Sequence, residues 1–127
     1  MQHSSISGLR QLAYVVSDVP QALAFFQQLG LSLLFQPAPQ LAFIALGSVR
    51  IMLTQPQGAG AVGQNSVLYL QCQSIEAEYQ RLLDIGVMGE RPAQCVAQMP
   101  GHDLWLAFFR DPDGNLLALL EEKCTAS

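Results

Sequence analysis

The 127-residue chain is 50% hydrophobic and 13% charged, enough apolar material for one packed domain and too much for a disordered chain. Its net charge of −4 comes without an acidic run, which argues against a nucleic-acid partner and favours cationic ligands only weakly. No run of about 18 apolar residues exists to span a membrane. The opening Met1-Gln2-His3-Ser4-Ser5 lacks the pattern of a signal peptide, and Cys72, Cys95 and Cys124 are odd in number with no zinc-like spacing. Reduced thiols in a cytoplasmic protein are the simplest expectation.

After a short polar start, residues 9–16 alternate as a strand, with Leu12, Tyr14 and Val16 on one face. Asp18 then caps a helix, Pro20 sits in its first turn, and Val19, Leu23, Phe26 and Leu29 fall at helical spacing before the stop at Gly30. Strands follow at 31–35, 41–46 and 49–54, separated by turns at Pro37 to Pro39 and at Gly47-Ser48. Residues 56–64, rich in Gly, Gln and Ala, read as a linker.

The pattern then starts again. Residues 67–72 form a strand, Ser74 is a second helix N-cap, and Ile75, Tyr79, Leu82 and Ile85 make an apolar stripe ending at Gly86. Two weaker strands at 87–88 and 94–99 precede strands at 104–110 and 115–121. Between these last two lies Asp111-Pro112-Asp113-Gly114, which is hairpin-turn chemistry: Pro112 pre-sets φ, the aspartates bond nearby backbone, and Gly114 takes a left-handed angle at little cost. An offset of 56 carries Asp18 onto Ser74, Gly30 onto Gly86, and the apolar Val19, Leu23, Phe26, Leu29 and Leu31 onto apolar residues. The chain therefore reads as an α+β domain of two tandem βαβββ modules, residues 8–56 and 65–122. They are expected to form a curved mixed sheet with helices on its convex face.

With the repeat and the closing turn in hand, residues 9–122 resemble the vicinal-oxygen-chelate superfamily, which includes glyoxalase I, extradiol dioxygenases and bleomycin-resistance proteins. The markers are Val16-Ser17-Asp18-Val19, Leu29-Gly30-Leu31 and Phe109-Arg110-Asp111-Pro112-Asp113-Gly114-Asn115. The resemblance implies a homodimer and, in metal-dependent members, four ligands of His, Glu, His and Glu type. Those positions correspond here to Gln11, Met52, Val67 and Ala118. One amide is a poor anchor where a catalytic divalent ion keeps about three N or O ligands. A one-residue strand slip brings Ser66, Tyr69, Thr54 or Glu121 near, but never two histidines or two carboxylates. No metal or other cofactor is therefore expected.

What remains is an apolar surface with a few polar groups, the usual make-up of a small-molecule site. Gln11, Arg50, Met52, Thr54, Val67, Tyr69, Leu116 and Ala118 are expected to line it, with Val15, Gln71 and Leu120. Phe43 and either Trp105 or Phe108, but not both, supply aromatic walls. His102, in a loop before the Trp105 strand, is a candidate catalytic group; His3 sits on the loose terminus, and Cys72 and Cys95 read as small core residues. Three readings stay open. The leading one is metal-independent sequestration of a small aromatic or amphipathic compound. The others are an enzyme with non-standard site residues, either metal-dependent through ligands at other positions or metal-free using His102 or Tyr69, and a structural or partner-binding domain with a filled pocket.

Overall fold

The computed structural model describes residues 4–58 and 60–125, so His3 lies outside the described residues. The chain divides into two compact units, Met1–Val62 and Gly63–Ser127. The first contains β1 (Gln11–Val15), α1 (Val19–Leu29), β2 (Ser32–Ala38), β3 (Leu41–Leu46) and β4 (Val49–Thr54). The second contains β5 (Leu68–Gln71), α2 (Ile75–Asp84), β6 (Met88–Met99), β7 (His102–Arg110) and β8 (Leu116–Cys124). Each builds its own four-stranded mixed sheet, in order β1-β4-β3-β2 and β5-β8-β7-β6. In both, the opening strand runs parallel to the last and the other pairs are antiparallel. The two βαβββ modules are thus the same topology twice. No helix among the described residues is long and apolar enough to cross a membrane.

In the first unit, alternation puts Tyr14, Ala42, Ile44, Ile51 and Leu53 on one sheet face, all buried. That face packs on α1, where Tyr14 meets Phe26 edge to face at 5.3 Å. The Asp18 side chain accepts the Gln21 N–H at 3.0 Å, and Gly30 closes the helix with φ 107°, a left-handed angle that glycine adopts cheaply. In the second unit Leu70, Ala107, Phe109, Leu117 and Leu119 form the matching buried face, with Ile75 and Leu82 of α2 also buried. Each fully buried aliphatic side chain in these cores contributes roughly 1.5–3 kcal/mol.

Three elements depart from expectation: β2 runs on through Pro37 to Ala38, where a turn was expected, and the turn falls at Pro39-Gln40. The pair of weak strands at 87–88 and 94–99 is one long strand, β6, whose register with β7 slips three times around Glu90, Pro92 and Val96. Those slips hid a single strand behind breaker residues. The N-cap position of α2 is Ser74, but its hydroxyl makes no capping bond; the Ile75 N–H instead goes to Glu121 Oε1 on β8 at 2.9 Å.

Candidate functional site

On the face of the first sheet turned away from α1, register places Gln11 beside Arg50, Ala13 beside Met52, and Met52 beside Phe43. Gln11, Arg50 and Met52 therefore share one face, as alternation predicts. Here a cavity of about 530 Å³ is lined by Arg10, Gln11, Leu34, Phe35, Phe43 and Arg50. The Arg50 guanidinium lies over the Phe43 ring, 5.8 Å from its centroid, and its Nε donates to Gln11 Oε1 at 2.8 Å. Arg10 is pinned by a 2.9 Å bond from Nη1 to the Ser48 carbonyl.

Arg10, Leu34 and Phe35 were not among the residues expected from sequence. A register shift in β2 moves pairing from Leu33–Ile44 to Phe35–Phe43, so Leu34 is the extra residue of a bulge. The bulge brings Leu34 and Phe35 to the side of Phe43, and Phe35 remains 63% exposed there. The unbroken run Leu33-Leu34-Phe35, which violates strand alternation, was the available signal.

Thr54 sits differently from expectation. It is buried beside Val15, and its hydroxyl donates to the Gln55 carbonyl at 3.0 Å. Linker residue Gly60 lies against Val15 so closely that a Cβ there would stand 2.8 Å from Val15 Cγ2. The linker therefore covers this end of the face, and the opening is at the Gln11 end.

In the second unit the away face carries Tyr69, Phe108, Leu116 and Ala118. Ala118 is paired with both Tyr69 and Phe108, whose rings meet edge to face at 6.4 Å, and it is 0% exposed. Val67 is half-buried just ahead of β5. A second cavity, about 330 Å³, is lined by Glu90, Arg91, Phe108, Arg110 and Leu116. Arg110 Nε donates to Glu90 at 2.7 Å, and the Arg91 guanidinium lies over the Phe108 ring, 5.8 Å from its centroid. Alternation in β7 settles the aromatic alternative: Phe108 faces away from α2, whereas Trp105 shares the helix side with Ala107 and Phe109. Trp105 lies instead under Lys123, whose Nζ is 4.3 Å from the ring centroid and is bonded to Glu76 of α2 at 2.6 Å.

His102 is not in a loop. It begins β7, and its Nε2 is 3.0 Å from Glu122 Oε2. Phe108 lies six positions further along β7, roughly 20 Å away. Cys72 is half-buried, and burial, followed by the charges of Glu121, Glu78 and Glu76, pushes its thiol up to about 11. A thiol so raised is no nucleophile at neutral pH. Cys95, expected in the core, is exposed on β6. Among the described residues no three His, Cys, Asp or Glu side chains gather as a metal-binding group.

The sequence model of the glyoxalase/bleomycin resistance protein/dioxygenase superfamily matches residues 8–119. The chain belongs to this superfamily. Among solved structures of similar fold is TnmS3, described as an antibiotic-binding protein from a Streptomyces species, at 26% identity and a TM-score of 0.78. That match covers 95% of this chain and all of TnmS3. A superfamily member from Sphaerobacter thermophilus is also 26% identical, with a TM-score of 0.75 over 92% of this chain and 98% of its own. A lactoylglutathione lyase from Agrobacterium tumefaciens, 22% identical with a TM-score of 0.74, covers 91% of this chain and 94% of its own, and shares the fold. No curated protein matches the chain. Superfamily membership fixes the scaffold and leaves the chemistry to the site.

Proposed function

We propose that this superfamily member binds a small aromatic or amphipathic compound on the away face of its first sheet and sequesters it without converting it. The observation that carries this reading is the 530 Å³ cavity, whose wall of Leu34, Phe35 and Phe43 meets a few polar groups at Arg10, Gln11 and Arg50. Likeness to a protein described as antibiotic-binding supports it.

The residues at the superfamily's metal positions do not fit a catalytic divalent ion. They offer one amide oxygen, already hydrogen-bonded to a guanidinium, one thioether, an isopropyl group and a fully buried methyl. Binding is proposed to be metal-independent for that reason. His102, paired with Glu122 at the end of β7, offers no catalytic group beside either cavity. The homodimer that the resemblance implies belongs to the same proposal, and light scattering on the purified chain reads it directly.

A thermal-shift screen of aromatic natural products and antibiotics tests the reading, with each hit recovered and analysed chromatographically after incubation. The expected outcome is stabilisation by a planar, partly apolar compound that is recovered unaltered. Conversion of the hit would replace the proposal with an enzymatic one, and a screen without hits would favour a filled, partner-binding surface.

A further inference from the structure

The first unit differs from the rest of the chain in charge. Residues 1–62 hold two arginines and a single acidic residue, Asp18, whereas nine of the ten acidic residues follow residue 62. Arg10 precedes β1 and Asp18 follows it, so the length of that strand alone puts about 13 Å or more between them. That separation is beyond the screening length of roughly 8 Å at physiological salt. Both arginines of this unit line the cavity, and no carboxylate does. A protein of net charge −4 thus presents a locally cationic cavity, the reverse of what the net charge suggests.

The geometry of Arg50 narrows the ligand further. Its Nε is committed to Gln11 Oε1 and its central carbon sits over the Phe43 ring, which together hold the guanidinium in place. Its two Nη groups donate to no acceptor among the described residues. The edge left free is the one that matches a carboxylate with two parallel hydrogen bonds. A neutral compound offers this edge at most an uncharged, weaker acceptor, and a cation meets two like charges.

Resting on the reading of this cavity as a small-molecule site, we propose that its ligand is an aromatic acid. The ring lies against Phe35 and Phe43, and the anionic group is taken by the Nη edge of Arg50 with Arg10 nearby. Gln11, at the first metal position of the superfamily, serves here as the positioning residue that aims Arg50.

Three ligands of one shape and different charge test this on the full chain: 2-naphthoate, 2-naphthylmethanol and 2-naphthylmethylammonium. Titration calorimetry gives affinities, and amide shifts of Gln11, Phe43 and Arg50 locate binding. The expected order is naphthoate tightest, roughly tenfold over the alcohol, with the ammonium weakest. In Arg50→Gln the ratio of naphthoate to alcohol affinity falls to about one, while Arg50→Lys, which keeps charge without the planar fork, retains part of it. The order is read on the unaltered chain, so it is independent of any folding effect of the substitutions. Naphthoate no tighter than the alcohol, or a ratio unchanged in Arg50→Gln, overturns the acid assignment while leaving the cavity reading standing. Absence of shifts at all three amides with all three compounds at about 1 mM overturns both.

Discussion

Asp111 shows how much of the second unit one side chain holds. Its carboxylate accepts the backbone N–H groups of Asp113 and Asn115 at 3.0 and 2.8 Å, and the Asn115 side-chain amide at 2.9 Å. Asn115 then turns its own amide oxygen to the backbone and side chain of Asn65, both at 3.1 Å. The turn and the start of the module are therefore tied through two buried polar side chains. Removing the carboxylate leaves buried donors without partners, which costs about 2–3 kcal/mol. Urea unfolding of Asp111→Ala is expected to show that loss, and a change within about 0.5 kcal/mol, the usual effect of a surface substitution, would show the turn to be held by Pro112 and Gly114 alone. The Asp-Pro-Asp-Gly-Asn stretch made the turn legible in sequence. The link to Asn65, 50 residues away, was not, because nothing local in a sequence records a tertiary partner.

At the scale of elements, the two helices contrast in how they begin. α1 is capped locally by Asp18, and α2 is capped from β8 by Glu121, while Ser74 occupies the N-cap position without a side-chain bond. A carboxylate at a helix N-terminus both accepts an orphan N–H and meets the positive end of the helix dipole. Glu121→Ala is accordingly expected to lower stability by about 1 kcal/mol, and Ser74→Ala by less than about 0.5 kcal/mol. Denaturant unfolding of the pair checks the order, and the reverse order would return the cap to Ser74. Helices and their ends were readable because their signals are local: a cap residue, a 3.6-residue stripe, a terminal glycine. Strand edges were less so. β6 was broken in two by Gly89, Glu90 and Pro92, and the bulge at Leu34 that places Phe35 on the cavity is a change of register, visible only against β3.

For the whole molecule, duplication of one module supplies two equivalent pairs of positions, Gln11 at the start of β1 with Val67 just ahead of β5, and Met52 with Ala118 on the closing strands. Alternation from sequence placed Gln11 and Met52 on one face, and the register of β1, β3 and β4 agrees. What fills these positions sets the expected response to metals. The Gln11 oxygen already accepts from Arg50, so a divalent ion there would have to displace that bond and sit beside a fixed positive charge. Met52 contributes a soft thioether, suited to Cu(I) and not to Mg²⁺ or Mn²⁺. Val67 and Ala118 contribute nothing, and Ala118 is sealed under Tyr69 and Phe108. Elemental analysis after incubation with Zn²⁺, Ni²⁺, Mn²⁺ and Fe²⁺ and removal of excess is expected to find far less than one ion per chain. Chelator treatment should likewise leave both the unfolding temperature and the affinity for 2-naphthoate unchanged. Retention near one ion per chain, together with loss of ligand affinity on chelation, would mean that donors outside these four positions build a centre. The search for activity would then turn to the metal-dependent reactions of the superfamily.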